Sequence, residues 1–261
     1  MSGLHPDIQA VLAGESEGCI LCGDGPRMLV AGPVGRWADM VFADPPDNLG
    51  LRYEGYADRL PAAEYRMHLQ QWLYDCRDTG KTIYFTPYFR HAMFLGALVD
   101  VQGLFSGFDV RQIIWRFTFG QHRATDLGNG YRPIFRIRQP GAPLYPDAIR
   151  EPSARQTKYN DKRANPKGRV PDDVWEFPRV CGTFKEKRTW CPTQIPEALV
   201  ERAILLSTKP GDVVADPFLG SGTTCIVAKR LGRRYVGIDV SPTYVEKAQA
   251  AVDATAQRTD Q

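Results

Sequence analysis

No stretch of this 261-residue chain approaches the ~20 consecutive apolar residues that a membrane span needs, and its first residues lack the basic-then-apolar pattern of a secretory signal. A cytoplasmic location is the expectation. Internal repeats and low-complexity tracts are absent, and the apolar and aromatic content is that expected of a soluble globular protein. A dominant charge is missing too. Lys and Arg number 33 against 30 Asp and Glu, and a net charge of +3 argues for no class of partner. The six cysteines stand at 19, 22, 76, 181, 191 and 225, and Cys19-x-x-Cys22 has no second Cys or His pair at matching spacing. They read as free thiols in a reducing compartment, and no metal site is expected.

What is present is an alternation of apolar runs and helical periods. Helices are expected over 6–14, 61–76, 91–101, a segment after 193, a segment after 223 closed at Gly232, and 242–252. Strands are expected over 19–22, 37–43, 82–86, 110–119 ending at Gly120, 131–138 (antiparallel to its neighbour), 213–216 and 235–239. Thr193 is the candidate N-cap of the helix after it, with Pro196 early inside. Residues 53–60 read as a polar and aromatic loop that orders on binding. Between 139 and 190 the pattern dissolves into prolines and charges, with Val174-Trp175-Glu176-Phe177 the one strand-like run. Residues 150–169 hold Arg150, Arg155, Lys158, Lys162, Arg163, Lys167 and Arg169 against Glu151 and Asp161. Such a segment suits a phosphate backbone or a solvated surface loop. Strands alternating with helices give an α/β sheet covered on both faces.

Two corners carry chemistry. The apolar run Met40-Val41-Phe42 stops at Ala43-Asp44-Pro45-Pro46-Asp47. Each proline fixes its φ and removes an N–H, which leaves the Asp44 and Pro45 carbonyls free to accept. A carboxylate and a carbonyl held on a rigid corner suit an amine, although Asp-Pro-Pro is also an ordinary strand-ending turn. The second corner is Val213-Val214-Ala215-Asp216 followed by Pro217-Phe218-Leu219-Gly220-Ser221-Gly222-Thr223-Thr224, a helix, and a strand ending at Asp239. This βαβ unit suits an adenosine-containing ligand, with Asp239 accepting from ribose hydroxyls. A dinucleotide fingerprint wants glycine where Cys225 stands, and a phosphate loop wants a lysine that the turn lacks. Asp216 would repel a pyrophosphate but attract the cationic amino group and sulfonium of S-adenosylmethionine.

Together these residues resemble the amino-DNA methyltransferases. The stretch from Asp216 to Thr224 resembles their cofactor motif, and Asp44-Pro45-Pro46-Asp47 their catalytic motif, usually Asp-Pro-Pro and an aromatic. The catalytic motif precedes the cofactor motif, an order similar to the β group of the family. The resemblance implies a circularly permuted, Rossmann-like methyltransferase fold: a mixed sheet, helices on both faces and an inserted recognition region. Residues 1–138 would form the catalytic half, 139–190 the target-recognition insert and 191–261 the cofactor half. It implies S-adenosylmethionine as cofactor, touched by Asp24, Asp44, Thr193, Gln194, Asp216, Pro217, Phe218, Gly220, Ser221, Gly222, Thr223, Thr224 and Asp239. Double-stranded DNA is the implied partner, with Arg155, Lys158, Lys162, Arg163, Lys167 and Arg169 on its backbone. The small recognition region is compatible with a homodimer.

The implied reaction is methylation of the exocyclic amine of a flipped base, through Asp44 and the Pro45 carbonyl. Adenine N6 is favoured, because N4 members often have Ser where Asp44 stands; cytosine N4 is the alternative. Three positions depart from the family. Cys191 and Ile195 replace a His and a Lys, and Asp47 replaces the aromatic that stacks on the base. Base–aromatic stacking is worth ~1–3 kcal/mol. Either Tyr53, Tyr56 or Tyr88 substitutes, Asp47 contacts a base edge, or the chain is a catalytically silent relative that binds DNA or cofactor.

Overall fold

The computed structural model describes residues 3–30, 35–101, 103, 105–117 and 123–257. Ten strands are present among them: β1 (Gly18–Cys22), β2 (Ala38–Ala43), β3 (Arg52–Tyr53), β4 (Tyr56–Ala57), β5 (Gly80–Phe85), β6 (Asp109–Arg116), β7 (Tyr131–Arg138), β8 (Val174–Glu176), β9 (Val213–Asp216) and β10 (Arg234–Asp239). The α-helices are α1 (Pro6–Ala13), α2 (Gly25–Leu29), α3 (Ala62–Thr79), α4 (Ala92–Val101), α5 (Ala154–Thr157), α6 (Glu197–Ser207), α7 (Thr223–Arg230) and α8 (Pro242–Asp253). Eight strands make one mixed sheet in the order β1-β10-β9-β2-β5-β7-β6-β8, and β3 and β4 pair in a separate hairpin. β7 runs antiparallel to both neighbours, and the other pairs are parallel.

The strand period sorts the core into two layers. Met40 and Phe42 of β2 face the side covered by α6, α7 and α8, where Leu199, Ile204, Val227 and Val252 are buried. Val41 and Ala43 face the side covered by α1, α3 and α4, with Ile8, Leu69, Leu73 and Leu95. β9 and β2 are side by side although they lie far apart in the chain, which is the permuted arrangement. Within the described residues no helix is long and apolar enough to cross a membrane.

Most expected elements appear within a residue or two of their expected bounds. The continuation of β6 to Phe119 and Gly120 lies outside the described residues. Thr193 does not cap α6. The N-cap position is held by Pro196, and the first helical N–H, that of Glu197, donates to Glu186 Oε2 at 2.9 Å. A carboxylate eleven residues upstream satisfies this orphan donor, so the local Thr is not needed. The stretch over 53–60 holds the second half of β3 and all of β4, and a buried acid ties it to the chain after Pro46. Asp58, 3% exposed, accepts from the backbone N–H groups of Asn48, Leu49 and Leu51, and Asn48 (φ 58°) brackets Leu60 through both ends of its amide.

The stretch over 139–190 is more structured than its composition suggests. Ser153 and Gln156 form a capping box at α5. Trp175 of β8 is 2% exposed in the core beside α6, and its neighbour Phe177 accepts from Trp115 Nε1. Tyr145 N–H donates to Leu206 O at the end of α6. Trp175 and Ile149 in the core, Leu144, Phe177 and Trp190 packed against it, and a few backbone bonds anchor this segment.

Candidate active site

Four adjacent parallel strands, β1, β10, β9 and β2, end in or just before an acid at the same edge of the sheet. These acids are Asp24, Asp239, Asp216 and Asp44. From β9 the chain crosses through α7 toward β10, and from β2 it crosses through α3 toward β5 in the opposite direction. The crevice between β9 and β2 is therefore a topological switch point, where open α/β sheets bind ligands. A cavity of about 310 Å³ opens there, lined by all four acids.

On the β9 side the turn is shaped by glycine. Gly220 has φ +47°, a left-handed conformation that L side chains rarely adopt, and it lines the cavity wall beside Phe218 O and Cys191 Sγ. Asp216 is 5% exposed and accepts from Phe218 N–H at 2.9 Å. Burial pushes its carboxyl up to about 7; hydrogen bonds from Thr224 and Phe218 oppose this, and the Asp44 and Asp239 charges add to it. Asp239 takes Gly220 N–H on Oδ2 and Ser241 N–H on Oδ1, and burial raises its carboxyl despite those bonds. Asp24, the N-cap of α2, spends no side-chain bond on its own helix. Between these acids stands an aromatic wall. Trp72 meets Phe218 edge-on at 5.2 Å, with Tyr56 at 6.2 Å and His68 at 5.5 Å from the same indole.

The β3–β4 hairpin covers the cavity. Tyr53 Oη lies 3.4 Å from Thr193 Oγ1, and Glu54 accepts from Ser241 Oγ, which with Thr243 holds its carboxyl below the usual range. Tyr53, Glu54 and Tyr56 all line the cavity, whereas Tyr88 does not.

On the β2 side, Pro46 O accepts from Tyr65 Oη at 2.5 Å, but no described group donates to the Asp44 or Pro45 carbonyls. Asp44 Oδ1 receives the Thr86 hydroxyl and, at 2.6 Å, Arg132 Nη2. Its Oδ2 has no described partner. Burial raises the Asp44 carboxyl; Arg132 pulls it down, Asp47 pushes it up, and the Thr86 bond pulls it down again.

Of the residues expected at the site, Asp44, Pro45, Pro46, Asp47, Asp24, Thr193, Asp216, Pro217, Phe218, Gly220, Ser221, Thr223, Thr224 and Asp239 line this one cavity. Gly222 begins α7 behind it. Gln194 is turned away, its amide spent on Arg188 N–H and Glu186 O. The basic residues of 155–169 line none of it. Arg155 and Arg163 both pair with Asp161, Arg169 pairs with Glu151 and Asp172, and Lys158 lies over the Tyr159 ring. Half of these six cations therefore have carboxylate partners within the chain, which the run of charges in the sequence conceals. Arg132, Thr86, Trp72 and Glu54 were not legible as site residues, since none belongs to a motif, whereas Tyr53 and Tyr56 of the hairpin were candidates for the missing aromatic.

A glycine turn and a row of strand-end acids at the switch point of such a sheet define a methyltransferase-type nucleoside site. Residues 38–250 match the DNA methylase family of N6/N4 methyltransferases. The type II methyltransferase M.HpaI of Haemophilus parainfluenzae is 34% identical over 225 residues, covering 83% of this chain and 68% of the relative. The DNA adenine methyltransferase YhdJ of Escherichia coli strain K12 is 31% identical over 226 residues, covering 82% and 76%. Among solved structures, the cytosine-N4-specific PvuII DNA methyltransferase shares the fold at TM-score 0.66 and 16% identity, covering 90% of this chain and 86% of that one. The chain belongs to the N6/N4 DNA methylase family and is an S-adenosylmethionine-dependent DNA amino-methyltransferase.

Proposed function

We propose that this enzyme methylates the N6 amine of an adenine flipped out of duplex DNA. The observation that carries this reading is the corner at Asp44, where a carboxylate oxygen and the Pro45 carbonyl both lack a described donor and both border the cavity. The exocyclic amine is a poor nucleophile because its lone pair is delocalised into the ring. Two acceptors taking its two protons favour a pyramidal nitrogen with that lone pair free, so alignment and electrostatics supply most of the rate. The proton shed by the amine has Asp44 Oδ2 as its acceptor, and burial strengthens that oxygen's hold on a proton. The base reaches this corner only out of the stack. An aspartate at 44, where N4 members often have Ser, favours adenine, as does the similarity to an adenine methyltransferase.

S-adenosylmethionine, when bound, supplies an electrophilic methyl on a cationic sulfur. The cavity beside Gly220 and the acids that line it fit such a ligand. Asp216 would hold its cationic end and Asp239 its ribose; Asp24 and the Trp72–Phe218–Tyr56 wall would hold its adenine. Ser221, Thr193, Thr223 and Thr224 supply hydroxyls along the same cavity. Residues 139–190 are the recognition region in this reading. Lys158, Lys162 and Lys167, which form no ion pair among the described residues, are better placed to meet phosphates than the internally paired Arg155, Arg163 and Arg169.

The test is transfer of label from S-adenosylmethionine to mixed-sequence duplex DNA by the purified protein. Incorporated label is expected; cofactor binding without transfer would sink the proposal.

A pH dependence follows from Asp216. A cationic ligand binds its ionised form, so affinity should rise with pH while Asp216 titrates near 7. The expected gain is about fivefold from about pH 6 to 7, below the range in which the ligand's own amino group titrates. Calorimetric titration across that range checks it, and Asp216→Asn should bind more weakly with a flat profile. A wild-type affinity independent of pH would remove Asp216 from the cationic end of the ligand.

A further inference from the structure

Asp47 occupies the position of the family's stacking aromatic, and the structure supplies it with a partner. Arg132, the second residue of β7, reaches past the C-terminal end of β5 to the end of β2. Its Nη1 donates to Asp47 Oδ2 at 2.9 Å and its Nη2 to Asp47 Oδ1 at 2.8 Å, a two-pronged pairing of the kind that fixes a guanidinium plane. The same Nη2 contacts Asp44 Oδ1 at 2.6 Å and Thr86 O at 2.8 Å. Thr86 in turn gives its hydroxyl to Asp44 Oδ1. One oxygen of Asp44 is thus gripped by the residue after β5 and by β7 together, while the other has no described partner. A ring at position 47 would leave Arg132 with Asp44 as its only carboxylate.

We propose that Arg132, oriented by Asp47, is a positioning residue that holds the Asp44 carboxylate charged and aimed for the incoming amine. This makes the aspartate at 47 part of the catalytic support, with no role in reading the base. The inference rests on the reading of Asp44 as the acceptor of the amine protons.

The titratable groups facing Asp44 are Arg132 from β7, Asp47 on its own loop, Asp216 from β9, Tyr53 from the hairpin and Cys191 from the segment before α6. Arg132 is the one cation among them. Burial and the Asp47 charge push Asp44 toward its neutral form, and a neutral carboxyl that spends its oxygen on its own proton is a poorer acceptor. Without the guanidinium, the Thr86 hydroxyl alone opposes them. The converse holds for Arg132: burial works against its charge, and Asp44 and Asp47 more than restore it.

Two readouts test this on the full-length protein, single-turnover transfer to duplex DNA against pH and the ¹³C titration of the Asp44 carboxyl, assigned by its loss in Asp44→Asn. In Arg132→Gln both the acid limb of the rate and the carboxyl midpoint should move up by about 1–3 pH units, the shift an adjacent opposite charge produces. Arg132→Lys should restore most of the midpoint but not the rate, since a point charge lacks the fork. Asp47→Asn removes a like charge that raises the Asp44 carboxyl, so the midpoint should move down, while loss of the two-pronged hold on Arg132 should lower the plateau rate. An Arg132→Gln enzyme that loses rate by one factor at every pH, with the Asp44 midpoint unmoved, would overturn the proposal. So would a faster Arg132→Gln enzyme, because the guanidinium would then be occupying the place of the base. If the wild type transfers nothing while the midpoint still shifts on removal of Arg132, the support of Asp44 stands and its role toward the amine falls.

Discussion

Asp44→Ala is expected to lower methyl transfer by about 10²–10⁴-fold, the range set by loss of a positioned proton acceptor. Cofactor binding should survive, because the turn that follows β9 and the acids at 24, 216 and 239 are untouched. Below neutral pH binding should tighten slightly, since Asp44 is one of the charges that keep Asp216 protonated. Arg132 retains Asp47 in the variant, so its charge is not orphaned. Single-turnover transfer and calorimetry on the same preparation separate the two effects. Transfer within tenfold of wild type would mean that another group accepts from the amine.

Gly25→Ala should damage both the fold and the cofactor site. A Cβ at this position would stand 1.9 Å from Pro217 O, 2.7 Å from Pro217 C and 3.0 Å from Pro217 Cα, all backbone atoms that no rotamer change can move aside. Either the start of α2 or the turn after β9 must shift, and both border the cavity. The expected cost is about 1–3 kcal/mol or more of stability. Cofactor affinity should fall with it, because Pro217 opens the turn that reaches Gly220 three residues later. Gly96→Ala is the control: nothing lies within 4 Å of its added Cβ, and it sits inside α4. There Ala should be neutral or stabilising by about 0.5–1 kcal/mol. Denaturant melts of the two variants check the contrast, and equal stabilities would mean that the close approach of Gly25 to Pro217 carries no weight.

The strands of the sheet were legible because each core strand is an apolar run with a clear end, whereas their order needs the tertiary structure. The row of acids was legible for the same reason: Asp44, Asp216 and Asp239 each terminate such a run. Features that depend on long-range partners were not. The N–H of Glu197 is capped by Glu186, and the local Ser/Thr signal at Thr193 was misleading. The loop after Pro46 is ordered by one buried aspartate, Asp58, whose three backbone contacts leave no pattern in composition. Arg132 is 88 residues from Asp44 and lies in a strand rich in arginine, so only the tertiary pairing distinguishes it from Arg136 and Arg138, which pair with Asp109. Asp47 was visible as a departure from the family pattern. Its physical reason became visible only with the guanidinium opposite it.

The most direct measurement is nucleoside analysis of DNA from a host that lacks adenine methylation of its own and expresses this chain. N6-methyladenine should appear with the wild-type chain and be absent with Asp44→Ala. DNA containing N4-methylcytosine in its place, or no methylated nucleoside from a folded, cofactor-binding protein, would contradict adenine methylation at the Asp44 corner.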